Sequence, residues 1–145
     1  MSSLNFKTSA RNQFGGRVSA LTKGAVNSEV ILDVGGGNQV VAIITNKSVD
    51  NLGLKVGAEA FALIKASFVI VATGQGFKSS ARNQFSGRIK SCEPGAVNGE
   101  VIIELPGGQS VVAIITNESI RSLGLKAGDQ ATALVKASHV ILAVV

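Results

Sequence analysis

The chain has no tryptophan or tyrosine, and only one cysteine, one histidine and one methionine in 145 residues. With Cys92 as the only thiol, no intrachain disulfide can form, and such usage fits a reducing compartment. With His139 as the only imidazole, the first half cannot build a Ser-His-Asp set, and ligands for a transition metal are nearly absent. Aromatic residues are confined to six phenylalanines, which leaves few of the exposed rings that single-stranded nucleic acid stacks on. No apolar run approaches the roughly 18 residues of a membrane span. Met1 to Ala10 has no apolar stretch fit for a signal peptide. These absences predict a cytoplasmic protein. Asn46-Lys47-Ser48 and Asn117-Glu118-Ser119 match the glycosylation sequon, a reading that lapses without secretion. No basic run or tail is present. The net charge of +5 divides into +3 for residues 1–73 (seven basic, four acidic) and +2 for residues 74–145 (seven basic, five acidic). That is mild attraction for anions, not the footprint of a nucleic-acid groove.

What is present is a duplication. Shifted by 71 residues, positions 6–73 match positions 77–144 at 41 of 68 places without a gap. A fixed period of this kind governs the fold reading. It predicts two modules, 1–73 and 74–145, joined by the short linker Thr73-Gly74-Gln75-Gly76. A unit of this size buries little core, so packing between repeats or subunits is the expected source of stability.

Each repeat reads as mostly β. Val30 to Val34, a turn at Gly35-Gly36-Gly37-Asn38, and Gln39 to Thr45 form a hairpin signal. In the second copy Pro106-Gly107-Gly108 supplies the turn. Phe14 to Ala20 and Ala60 to Ala66 read as further strands, and Ser67 to Ala72 as the strand that closes the unit. Thr45 or Asn46 can cap a short helix over Ser48 to Leu52 that stops at Gly53. The fold class is all-β: two tandem OB-like five-stranded barrels, each with one short helix.

The polar residues kept in both copies fall into three clusters. They are Lys7 to Phe14 with Lys78 to Phe85, Thr45 to Ser48 with Thr116 to Ser119, and Lys65-Ala66-Ser67 with Lys136-Ala137-Ser138. No catalytic carboxylate pair stands out: Glu29/Glu100 and Asp33/Glu104 read as solvated residues flanking the hairpin. The glycines are not followed by the Gly-Lys-Ser/Thr of a phosphate loop. The chain is not expected to be an enzyme. What remains is an inventory of donors: arginine, lysine, hydroxyls and the N–H groups at a helix start, which suit a small charged oxyanion. Each cluster has a plainer reading. Thr45 and Ser48 could be only a helix cap, Lys65 and Lys136 edge-strand lysines, and Arg11 and Arg82 partners of an acid on a neighbouring unit. Lys55 and Lys126 read as solvated loop residues. Glu118, which replaces Lys47 between Thr116 and Ser119, must point away from any bound anion or weaken the second copy.

Ser-Ala-Arg-Asn-Gln at 9–13 and 80–84, Thr-Asn-x-Ser at 45–48 and 116–119, and Lys-Ala-Ser at 65–67 and 136–138 resemble the molybdate-binding Mop module. The resemblance covers the whole chain as two tandem modules, the pattern of the di-Mop molbindins. It implies storage and homeostasis of molybdate or tungstate by a homo-oligomer, a trimer of tandem modules, with no other cofactor, no metal held directly by side chains, and no nucleic-acid or membrane partner. The oxyanion-binding residues it implies are Ser9, Ala10, Arg11, Asn12, Thr45, Ser48, Lys65, Ala66 and Ser67. Their equivalents are Ser80, Ala81, Arg82, Asn83, Thr116, Ser119, Lys136, Ala137 and Ser138. One pocket would draw its clusters from different modules. A second class of site on a threefold axis would lie near Gly24, Ala25, Val26 and Asn27, and near Gly95, Ala96, Val97 and Asn98. Two other readings stay open: a nucleic-acid-binding OB module and a purely structural barrel.

Overall fold

The computed structural model describes residues 6–145; Met1 to Asn5, half of the segment read for a signal peptide, lie outside the described residues. The first repeat runs β1 (Asn12–Lys23), β2 (Asn27–Gly35), β3 (Asn38–Thr45), α1 (Asn46–Leu52), β4 (Glu59–Ile64), a 3-10 turn (Ala66–Phe68) and β5 (Ile70–Ala72). The second repeats it with β6 (Asn83–Pro94), β7 (Asn98–Glu104), β8 (Ser110–Thr116), α2 (Asn117–Leu123), β9 (Gln130–Val135), a 3-10 turn (Ala137–His139) and β10 (Ile141–Ala143). The hairpin and the capped helix stand where the sequence puts them. Among the described residues no helix is long and apolar enough to cross a membrane.

β1 is longer than the expected Phe14 to Ala20 because it serves two partners. Asn12 to Arg17 pairs with β4, and Arg17 to Lys23 pairs with β2, with a register shift between Val18 and Ala20. An extra residue there bends the strand and lets one sheet curl toward a barrel. Gly16 sits just before the bend, where a Cβ would come within 2.1 Å of the Asp33 carbonyl oxygen; Gly87 repeats the close approach at Glu104. Only glycine lets the two backbones meet there.

The closing strand departs from expectation. The segment from Ser67 to Ala72 begins inside a 3-10 turn, and its strand does not close its own unit. The two sheets have the orders β10-β4-β1-β2-β3 and β5-β9-β6-β7-β8, so each repeat ends the sheet of the other. Ile141, Leu142 and Ala143 pair with Leu63, Ala62 and Phe61, while Ile70, Val71 and Ala72 pair with Leu134, Ala133 and Thr132.

This exchange merges the interiors. Alternating inward residues of β2 and β3 (Val30, Leu32, Val40, Ala42) and of β7 and β8 (Val101, Ile103, Val111, Ala113) belong to one continuous buried cluster. Phe14 and Phe85 stack across the repeats at 6.2 Å. At about 25 cal/mol per Å² of apolar surface removed from water, a joint core supplies stability that one 70-residue unit would lack.

Candidate functional site

Two segments fix the hydroxyl donors. Thr45 caps α1: its Oγ1 accepts from the Ser48 backbone N–H at 3.1 Å and donates to Ser48 Oγ at 2.9 Å. Thr116 and Ser119 repeat both bonds at the same lengths. The capping role is therefore real. It still leaves the Ser48 hydroxyl proton free to donate, because Ser48 Oγ acts here as an acceptor. Gly53, at φ 65°, ends α1 in the left-handed conformation that favours glycine.

The second segment is the 3-10 turn of the opposite repeat. Ala66 and Ala137 are buried and anchor these turns, which leaves Ser67, Ser138, Lys65 and Lys136 exposed around them. A cleft of about 290 Å³ lies between Ile43, Ile44, Thr45, Ser48 and Leu52 of the first repeat and Ser138, Val140, Ile141 and Leu142 of the second. Thr45, Ser48 and Ser138 thus line one cleft, drawn from both repeats. In the mirrored position the first 3-10 turn packs against β8. Lys65 Nζ lies 5.7 Å above the Phe68 ring, which in turn packs on His139 at 4.6 Å. A larger cleft of about 400 Å³ beside Gly74 to Phe77 contains none of the candidate donors.

The arginines bring a correction. Arg82 Nη1 donates to Glu29 Oε2 at 2.6 Å, and Arg11 Nη2 to Glu100 Oε2 at 2.8 Å. Glu29 and Glu100 are therefore not bare solvated residues, and the guanidinium groups do have acidic partners, each on the other repeat. The Arg82 hydrogen bond holds the Glu29 carboxyl below its usual range, while the carboxylate raises the arginine further. Glu29 stands opposite Ile43 in the β2–β3 register, and Ile43 lines the cleft with Thr45. Opposed residues of an antiparallel pair share a face, so Glu29 stands on the same sheet face as Ile43 and Thr45, although neither it nor Arg82 lines the cleft itself.

Asn12 and Asn83 also differ from expectation. Both are buried, and their amides are committed to the fold. Asn83 Oδ1 accepts from the Val41 N–H at 2.7 Å, and its Nδ2 donates to the Val41 carbonyl at 2.8 Å. Asn12 makes the same two bonds to Val112 and a third to the Ile64 carbonyl. Each side chain closes the open edge of the other repeat's third strand; Asn12 commits both of its amide hydrogens in doing so, and Asn83 one of its two. Ser9-Ala10 and Ser80-Ala81 are held by a polar turn: Ala10 N–H donates to Thr8 Oγ1, Ala81 N–H to Ser79 Oγ, and Gln13 and Gln84 reach back to the carbonyls of Ala10 and Ala81.

Gly24 to Asn27 and Gly95 to Asn98 form exposed tips latched to the helix starts. The Asn46 N–H donates to the Val26 carbonyl at 2.8 Å and its side-chain amide to the Gly24 carbonyl at 3.0 Å; Asn117 does the same at Val97 and Gly95. Val26 and Val97 are about 70% exposed at these tips (69% and 73%). Glu118 lies exposed in the first turn of α2, where its charge favours the helix start. Among the described residues no group of three or more His, Cys, Asp or Glu side chains could hold a metal, and burial pushes the Cys92 thiol up.

Comparison with known proteins settles the family. The TOBE domain matches twice, over residues 8–71 and 79–142. The chain belongs to the TOBE-domain family. The tandem pattern seen in the sequence is thus a pair of Mop/TOBE modules. The chain is 45% identical over 99% of its length to the molybdenum transport protein ModE of Azotobacter vinelandii, of which it covers 53%. It is 46% identical over 97% of its length to the molybdenum-pterin-binding protein MopA of Rhodobacter capsulatus, of which it covers 54%. It therefore spans about half the length of these curated relatives. A crystal structure of the cytoplasmic molybdate-binding protein ModG with molybdate bound superposes with a TM-score of 0.93 at 46% identity, over 97% of this chain and all of that one.

Proposed function

We propose that the protein binds molybdate and tungstate in the cytoplasm as a store and buffer, by binding and not by turnover. The observation that carries this reading is the cleft in which Thr45 and Ser48 of one repeat meet Ser138 of the other. In this reading Lys136, Arg82, Ser80 and Ala81 border that site, and Thr116, Ser119, Lys65, Ser67, Arg11, Ser9 and Ala10 form its counterpart. Ala66 and Ala137 act by letting the turns pack closely. The likeness to molybdate-loaded ModG supports the choice of ligand. Four to six hydrogen bonds to a charged group, at about 1.5–3 kcal/mol each, are enough for the roughly −8 kcal/mol of micromolar binding after association costs. Molybdate is a full dianion at neutral pH and asks only for donors; protonated phosphate also needs an acceptor.

The same reading makes the protein a homo-oligomer, with a trimer as the expected state. Ile70 and Ile141, at matched positions and 63% and 64% exposed, support a covered surface beside the site. The exposed tips at Gly24 to Asn27 and Gly95 to Asn98 are where an axial site would form. Isothermal titration with molybdate, tungstate and sulfate in parallel tests the reading. Saturable heat with the first two and little with sulfate is expected. No heat with any of them, or tight low-salt binding of oligonucleotides instead, refutes it. Light scattering measures the oligomer.

A further inference from the structure

The two Arg–Glu pairs share a design. Each joins the two repeats, each uses residues present at matched positions, and each glutamate stands opposite the matched isoleucine of the next strand, Glu29 opposite Ile43 of the cleft wall and Glu100 opposite Ile114. They are short contacts, yet neither is buried: the arginine side chains are 50% exposed and the glutamates 30% and 29%. Exposed pairs of this kind are weak and exchange readily for another anion. The Glu29 carboxyl is held below its usual range, so it is ionised at neutral pH. A carboxylate fixed beside a site for dianions opposes binding unless it can leave.

We propose that Glu29 and Glu100 are affinity-setting residues: each carboxylate is a resident anion on Arg82 or Arg11 that an incoming oxyanion displaces. The proposal rests on the oxyanion reading above. A tetrahedral dianion offers four oxygens to the guanidinium, the lysine and the hydroxyls together, and so outcompetes a single carboxylate. Chloride and simple carboxylates cannot recruit that set, and the resident glutamate keeps them off the arginine. The freed carboxylate has an open path to solvent.

The test compares the wild-type protein with two double variants, Glu29→Gln/Glu100→Gln and Glu29→Asp/Glu100→Asp, by calorimetric titration with molybdate and by chloride competition. Glutamine removes the resident anion; aspartate keeps the charge but shortens its reach to the guanidinium. Molybdate binding is expected to tighten roughly three- to tenfold in the glutamine variant, the range set by removing one nearby charge in a solvent-rich site. It should also tighten, by less, in the aspartate variant, and chloride should compete better in both. Unchanged or weaker binding in the glutamine variant overturns the proposal, since the carboxylate would then be orienting the arginine. Tightening with glutamine but not with aspartate also overturns it, because the effect would be a general field and not occupancy. If the wild-type protein itself fails to bind molybdate, the oxyanion reading falls, and this proposal falls with it. Unchanged thermal unfolding midpoints show that the variants remain folded.

Discussion

At the scale of the residue, the side chains that join the repeats are polar, and they act over long sequence distances. Asn83 satisfies both backbone groups of Val41, and Asn12 those of Val112, all at buried positions. Asn83→Leu keeps a similar volume but leaves an N–H and a carbonyl without partners. Each unsatisfied group costs about 1–3 kcal/mol, so a loss of roughly 2–6 kcal/mol is expected, read as a lower midpoint in urea unfolding. A loss under about 0.5 kcal/mol would mean that water or a shifted backbone replaces the amide. The Arg82–Glu29 contact makes a separate prediction about acid. Because the folded-state carboxyl is depressed, the contact's contribution is present above the usual carboxylate range and is lost as pH falls through the lower, folded value. Carbon-detected NMR titration should place Glu29 below an unperturbed glutamate, and Arg82→Ala should move it back up. The sequence showed that Arg11, Arg82, Glu29 and Glu100 recur in both copies. It could not show that they meet, since Arg82 and Glu29 are 53 residues apart and an acid on a neighbouring unit was only one of the open partners.

At the scale of the element, local chemistry was legible and pairing across repeats was not. Thr45, Ser48 and Gly53 carry the start and stop of α1 in their own side chains or lack of one, so the helix could be read from seven residues. The Gly-rich turn after β2 announced its hairpin in the same way. The strand after the 3-10 turn announces nothing about which sheet it joins. Ile70-Val71-Ala72 and Ile141-Leu142-Ala143 are nearly the same, and either would fit the edge of β4 or β9. Register and hydrophobic pattern therefore allow both arrangements, and the choice is made by the chain path. The cap has a measurable share in stability as well as in the site. Thr45→Ala removes the bond to the Ser48 N–H and should cost about 1 kcal/mol, while Thr45→Ser should cost little. Thermal denaturation reads the first effect. Titration with molybdate should show weaker binding for alanine and near-normal binding for serine, which separates the hydroxyl as a ligand from the helix it caps.

At the scale of the whole molecule, the two repeats are one folding unit although they look like beads on a string. β5 completes the sheet of the second repeat, β10 completes that of the first, Asn12 and Asn83 reach across in opposite directions, and the core is continuous. The linker at Thr73-Gly74-Gln75-Gly76 is exposed and lies outside all of these contacts. A protease site placed there should cut cleanly, and the nicked protein should keep its native mass in light scattering while showing two bands on a denaturing gel. Had each repeat closed its own barrel, the fragments would be free to part on dilution. The same geometry sets what a single repeat can do. Residues 6–73 alone would leave the edge of β4 without β10 and send β5 out with no sheet to join, an open edge of the kind that recruits a second chain. Two such fragments can satisfy each other by trading their last strands, so the isolated repeat should sediment as a dimer or larger and unfold with a concentration-dependent midpoint. A stable monomeric repeat, with its midpoint independent of concentration, would show that the last strand can fold back onto its own sheet and that the exchange is a consequence of covalent linkage, not of the module.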